Sequence, residues 1–407
     1  MTYTGLVIGG GIAGTLGAVA LHKAGMRPVI YEAHDGPADN VGAFLTLAVN
    51  ALDALRVLEI DIDRLGFETP WMTLSNGSGR RLGELPYGPV VDGMVSRTVK
   101  RAELYLALRD EVTRRGLPIE YGKRLVSAER TRDGVRATFA DGTTAEGDLL
   151  IGADGLRSRT REIIDPGAPG ARYAGLLNTG GCARGVPLDT EPGVMHAIFG
   201  KRCFFCYTRH PNGEVWWAAN PARATEPTRA ELAAITSDQW REQLTALVRR
   251  DRGPAADLIA ATSEIFAGWP TYEIPSVPRW HRDRMVIVGD AAHATAPSIG
   301  QGAAMAIEDV VELARCLRDG SSVESAFATY ELRRRDRVER VVRQGNRTGG
   351  WKSPGPVGRI PRDVIMRLAL KHRARSGADP DSWMYEHHID WAAPAKEPAG
   401  LRPPNPA

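Results

Sequence analysis

Three acidic residues, Glu32, Asp154 and Asp290, each stand at the end of a short apolar run, the last two beside glycine. A carboxylate at a strand end accepts hydrogen bonds from hydroxyls, and the free amides of a following helix face electron-rich oxygens. Around Asp290 the apolar run Met285–Val288 ends at Gly289, and a helical pattern begins just after Gly300-Gln301-Gly302. That order predicts a buried strand, an acid and a glycine-rich helix start, suited to a polar ligand. The first segment says which kind of ligand. Leu6-Val7-Ile8 leads into Gly9-Gly10-Gly11-Ile12-Ala13-Gly14, a helix-like Thr15–Ala24 follows, and the strand-like Pro28–Tyr31 meets Glu32. This is a βαβ unit carrying GxGxxG with an acid about 20 residues on. Gly9 lets the strand turn, Gly11 lets backbone approach a pyrophosphate, and Gly14 lets the helix pack close to the strands. Glu32 then accepts from the ribose hydroxyls of an adenosine. The third segment, Gly152-Ala153-Asp154-Gly155, again joins a strand end to a helix and, with Ser158 and Arg161 after it, is read into the same dinucleotide site.

Several elements must carry these residues. A helix from about Ala48 puts Leu52, Leu55 and Leu58 on a core face. Another spans Lys100–Arg115, with Arg97 and Arg101 flanking its start beside the glycine-rich half, where either can reach a ligand. Ile119–Tyr121, Arg124–Glu129, Val135–Phe139 and Thr144–Ile151 read as a meander, with turns at Asp133-Gly134 and Asp141-Gly142. From about Gly167 to Trp280 strands dominate, and Phe199, Phe204, Phe205, Tyr207, Trp216 and Trp217 cluster in them. Alternation sends some of these rings to a helix-covered core and others to the opposite face, which points to an apolar ligand cavity. Helices follow at Ala303–Cys316, Ser322–Arg347 and about Asp363–His372, with a loop at 353–358 and a proline-rich tail.

At 407 residues the chain is long for one core, so two intermixed domains are expected. Hydrophobic content of 43% and charged content of 25% fit a globular protein. A net charge of +3 is too mild to argue for nucleic acid or an anionic membrane. Arg333, Arg334 and Arg335 sit among acids in a helical pattern and read as a solvated face. No long apolar run or export signal is found, which with four scattered cysteines places the protein in the cytoplasm. Cys203 and Cys206 form a lone CxxC inside a strand pattern, where i and i+3 face opposite ways, so both read as structural.

Together the GxGxxG with Glu32, the Gly152–Gly155 segment and Gly289-Asp290-Ala291-Ala292-His293 resemble the three fingerprints of single-component FAD-dependent aromatic hydroxylases of the para-hydroxybenzoate hydroxylase type. The resemblance spans roughly Thr4 to Arg347. It implies an α/β fold with α+β elements: a Rossmann-like FAD-binding domain interleaved with a mainly antiparallel β-sheet substrate domain, and a long C-terminal helix. The expected boundaries are 1–75, 97–170 and 281–350 for the FAD domain, 76–96 and 171–280 for the substrate domain, and 351–407 for the C-terminal part. FAD is the implied tight cofactor, with NADPH or NADH as transient co-substrate and O2 and a small molecule as the other partners. A monomer or homodimer is expected. By this resemblance Gly9, Gly11, Ala13 and Gly14 line the pyrophosphate and Glu32 the ribose, while Arg101 contacts the cofactor and Leu125 meets the adenine. Asp290 holds the ribitol, Pro297 lies near the reactive edge of the isoalloxazine, and Gly300, Gly302 and Ala303 offer amides to its pyrimidine end. Asp154 belongs to a motif tied to both FAD and NAD(P)H.

The chain also departs from the pattern. Ala33 and His34 follow Glu32 where many relatives have a basic residue, and Ala304 stands where many have Asn. Phe44 and Leu45 occupy the place of a catalytic His in some pyridine hydroxylases, so no substrate base is assigned, and His293 is read as structural. The implied reaction inserts one oxygen atom into an aromatic or polycyclic molecule through a flavin C4a-hydroperoxide. Alternatives are Baeyer–Villiger oxygenation or epoxidation on the same fold, or a non-catalytic flavin-binding protein. A flavin halogenase fits less well, because Trp269–Pro275 lacks the central Trp of WxWxIP.

Overall fold

Strand Thr4–Ile8 is apolar on both faces because it lies inside a six-stranded sheet covered on both sides. In the computed structural model, residues 2–36, 43–297, 299–349, 352, 358–376 and 379–396 are described. Helix α1 (Ile12–Lys23) follows the glycine turn, and Arg27–Tyr31 returns parallel to the first strand. Leu149–Gly152 lies parallel on the other side with Met285–Ile287 beyond it, and Ile119–Glu120 and His281–Arg282 close the edges. The strands preceding Gly9, Ala153 and Gly289 are therefore neighbours whose C-terminal ends open on one side. Helices α2 (Arg101–Arg114), α3 (Gly302–Asp319) and α4 (Val323–Gly349) complete this half, α1 packing on both α2 and α3.

The meander is shorter than expected. Thr144–Ile151 is two strands rather than one: Thr144–Gly147 pairs antiparallel with Val135–Phe139, whereas Leu149–Gly152 joins the parallel sheet. The break falls at Asp148, whose Oδ2 accepts from the Thr4 backbone N–H at 2.6 Å. Ile119–Glu120 also leaves the meander, pairing with Arg27–Tyr31.

The second large sheet has eight strands and is antiparallel except where Val194–Phe199 runs parallel to Trp71–Asn76. Trp71–Asn76 straddles the boundary expected at 75–76 and pairs wholly within this sheet. The aromatics divide by alternation. Phe205, Tyr207 and Trp217 pack under the helices Ser237–Val248 and Ala255–Ala260, while Phe199 and Phe204 face the other way with Leu74 and Ala197. Helix α5 (Arg359–Ser376), longer than expected, lays Met366 and Leu370 against that second face. Most of the loop expected at 353–358 and the tail beyond Lys396 lie outside the described residues.

The arginine run is a correction. Arg334 is 1% exposed, not solvated. It reaches Glu308 at 2.7 Å and Asp309 at 2.8 Å, and Arg337 reaches Glu308 at 2.7 Å. The cause is long-range: α3 carries two consecutive acids on a buried face, and the arginines that neutralise them come from α4. Among the described residues no helix is long and apolar enough to cross a membrane.

Candidate functional site

Beyond the ends of the parallel strands lies a cavity of about 1330 Å³ that extends to the eight-stranded sheet. It exceeds the roughly 300–1,000 Å³ of a single small-ligand pocket, so it has room for more than one molecule. Eight of the expected residues line it: Gly11, Ala13, Arg101, Asp290, Pro297, Gly300, Gly302 and Ala303.

Helices α1 and α3 both begin here, at Gly11 and Gln301, and neither N-terminus has a side-chain cap. Their first-turn amides thus lack intrahelical acceptors and carry the positive end of each helix dipole. Space lies in front of both. A Cβ built on Gly302 would meet nothing within 4 Å, and one on Gly11 would meet only Tyr105, no closer than 3.9 Å.

Asp290 sits in the 3₁₀ turn Gly289–Ala291. Its side chain is exposed to the cavity yet lies deep within the protein, and burial raises its carboxyl pKa against the opposing pull of His293 and Arg101. Arg101 opens α2 and donates to Tyr105 Oη at 3.2 Å, while its buried Nε finds no partner among the described residues. A buried donor left open toward a cavity is one that a ligand can satisfy. His293 faces away: its Nε2 meets Asp309 Oδ2 at 2.5 Å, and the same carboxylate oxygen accepts the Gly289 N–H at 2.9 Å. It braces the turn that carries Asp290.

The other five expected residues do not line the cavity. Gly9 and Gly14 pack on each other: a Cβ on Gly14 would stand 1.8 Å from Gly9 O, so only glycine lets α1 start this close to the strand. Glu32 accepts the Gly10 N–H at 2.6 Å and the His34 N–H at 2.9 Å. Burial would raise its pKa, but these backbone bonds and the His34 side chain hold it below the ordinary value. Leu125 is buried opposite Phe139 in the small antiparallel sheet. Asp154 accepts from Ser158 Oγ at 2.5 Å and from the Thr160 N–H at 2.9 Å, tying down the turn before the next helix. Burial raises its pKa over those bonds, and its neighbours Ala153 and Gly155 line the cavity in its place. Arg97 donates to the Asp63 and Leu65 carbonyls instead of a ligand, and Ala304 is buried away from the cavity.

The far wall is largely apolar, with Met195, Ala197, Phe199, Phe204 and Met366. Asn178, Asn220 and Lys352 interrupt it, and Tyr87 faces Gly300. Sequence reading missed all four. Asn178 and Asn220 carry a signal, being amides inside otherwise apolar strand patterns; Lys352 and Tyr87 lie in segments without periodicity.

A protein-family model described as an FAD binding domain matches residues 2–345. The 6-hydroxynicotinate 3-monooxygenase of Bordetella bronchiseptica is 31% identical over 361 residues, covering 83% of this chain and 89% of the relative. The FAD-dependent urate hydroxylase of Klebsiella pneumoniae is 31% identical over 350 residues, covering 83% and 87%. The crystal structure of Klebsiella pneumoniae HpxO with FAD and uric acid superposes with a TM-score of 0.81 at 28% identity, covering 92% of this chain and 95% of that one. A salicylate hydroxylase substrate complex shares the fold, with a TM-score of 0.78 at 20% identity.

Proposed function

This chain belongs to the FAD binding domain family and is an FAD-dependent monooxygenase; we propose that it inserts one atom of O2 into an aromatic or polycyclic small molecule, with NADPH or NADH as reductant. The observation that carries this reading is the convergence of two uncapped helix N-termini and a buried acid on one cavity whose far wall is apolar.

We assign the dinucleotide half of FAD to the start of α1. Gly11 and Ala13 face the pyrophosphate there, Gly9 and Gly14 set how close that helix comes, and Glu32 braces the turn and reaches the ribose. Leu125 and Asp154 support this half from behind. Asp290 would hold the ribitol hydroxyls and Arg101 would turn its free Nε to the cofactor. Pro297, Gly300, Gly302 and Ala303 would frame the isoalloxazine. When bound, FAD supplies the redox chemistry, taking two electrons from reduced nicotinamide and activating O2. The chain's own part is to bind, orient and exclude water. The α3 amides stabilise negative charge placed before them, and the apolar wall of Phe199, Phe204 and Met195 keeps the oxygenation site dry. A cytoplasmic setting, where thiols persist, suits four cysteines that stand free.

The test is product analysis. FAD-loaded protein with NADPH or NADH, ¹⁸O2 and a panel of phenols and nitrogen heteroaromatics is expected to yield a product carrying one ¹⁸O atom. Substrate-stimulated oxidation of the nicotinamide without any oxygenated product would indicate a flavin-bound protein that only binds its ligand.

A further inference from the structure

Lys352 lies beyond the family-matched segment 2–345, yet it reaches back into the cavity. It is 7% exposed. Its Nζ donates to Asn220 Oδ1 at 2.8 Å and stands 4.3 Å from the centroid of the Phe204 ring. The amide it meets is fixed from behind: Asn220 Nδ2 donates to Asn178 Oδ1 at 2.5 Å, and Asn178 Nδ2 donates to Thr271 Oγ1 at 2.7 Å. Asn220 therefore turns its oxygen to the lysine. An ammonium has three donors, and this chain satisfies one of them with an amide and places an aromatic face beside the cation. Among the described residues no carboxylate pairs with it. Of the other cations lining the cavity, Arg373 is held by Asp379 and Asp381, Arg343 pairs with Glu339 and Arg340 stacks over Trp383; Lys352 is the one fixed to the apolar sheet wall.

A buried charge is costly unless an opposite charge or full hydrogen bonding offsets it. We infer that Lys352 is the anion receptor at the substrate end of the cavity, pairing with a carboxylate or phenolate-type oxygen of the aromatic substrate and so selecting anionic over neutral ligands. The inference rests on the monooxygenase reading, which makes this wall the substrate wall. Burial pulls the Lys352 ammonium down to about 8, so the free site carries a charge at a cost that an incoming anion removes. Asn220, Asn178 and Thr271 act as positioning residues, holding the receptor on the sheet.

The experiment titrates FAD-loaded protein with matched aromatic pairs, reading binding from the flavin absorbance: benzoate and benzamide, 2-hydroxybenzoate and 2-hydroxybenzamide, nicotinate and nicotinamide. At least one carboxylate is expected to bind about tenfold or more tightly than its amide, the worth of one charge-assisted hydrogen bond. Lys352→Met is expected to erase that preference while keeping FAD and amide binding, and Lys352→Arg to keep the preference. If no carboxylate outbinds its amide, or if the preference survives in Lys352→Met, the inference is overturned. FAD loading of the purified protein is read first, and a chain that takes up no FAD overturns the monooxygenase reading itself.

Discussion

Along α3 and α4 the buried charges meet opposite ones within the chain, whereas three at the cavity, Asp290, Arg101 and Lys352, form no ion pair among the described residues. Glu308 is held by Arg334, Arg337 and Asn50, and Asp309 by Arg334 and His293. Asp290 receives no hydrogen bond from a side chain among the described residues, Arg101 leaves its Nε open, and Lys352 has only an amide and a ring. The proton equilibria follow the same division. Burial would raise Glu308 and Asp309, but the facing cations more than offset it and hold both below the ordinary carboxylate range. At Asp290 burial wins, and the carboxyl is raised. The paired set is satisfied within the chain, and the open set is the one proposed above to meet ligands.

The largest expected effect comes from breaking the paired set. Arg334→Met leaves two buried carboxylates short of a cation and should cost about 3–5 kcal/mol, read as a fall in the urea unfolding midpoint. Acid should act on the same cluster. Both folded pKa values lie below the unfolded ones, so this stabilisation is complete above roughly pH 5 and is lost as pH falls through the depressed values. Unfolding followed from neutral toward low pH is expected to show a loss that Glu308→Gln reduces.

Gly14→Ala comes next. Its Cβ would collide with Gly9 O, so α1 must shift, costing about 1–3 kcal/mol and reducing FAD occupancy as read by absorbance. The smallest effect on the fold is expected at the open set. Arg101→Met should change the stability of FAD-free protein by less than about 1 kcal/mol while weakening FAD about 10- to 100-fold. Equal losses of stability at Arg101 and Arg334 would erase the distinction between the two sets.

What the chain declares locally was readable, and what it settles across long separations was not. The glycine turn, the acids at strand ends and the start of α3 are set by backbone needs within a few residues, so spacing alone exposes them. Phe204 and Phe205 took opposite faces because a strand alternates. Arg334 was misread because its partners lie on another helix and the nearby acids suggested a solvated face. The split at Asp148 does carry a signal, since the polar Glu146-Gly147-Asp148 precedes the apolar Leu149–Ile151, but the change of pairing partner that gives it meaning is set far away in the chain. Lys352 gave no signal, since its meaning comes from Asn220 and Phe204 far away in the chain.

The proposed site centres on Asp290 as a ligand-binding charge rather than a structural one. Its raised folded pKa means that the ionised carboxylate opposes folding at neutral pH and that protonation relieves this. The most direct measurement is FAD affinity of Asp290→Ala beside the thermal midpoint of its FAD-free form. FAD binding is expected to weaken about 10- to 100-fold, with a midpoint at or above that of the wild type. Wild-type FAD affinity, or a midpoint that collapses with the substitution, would contradict that role.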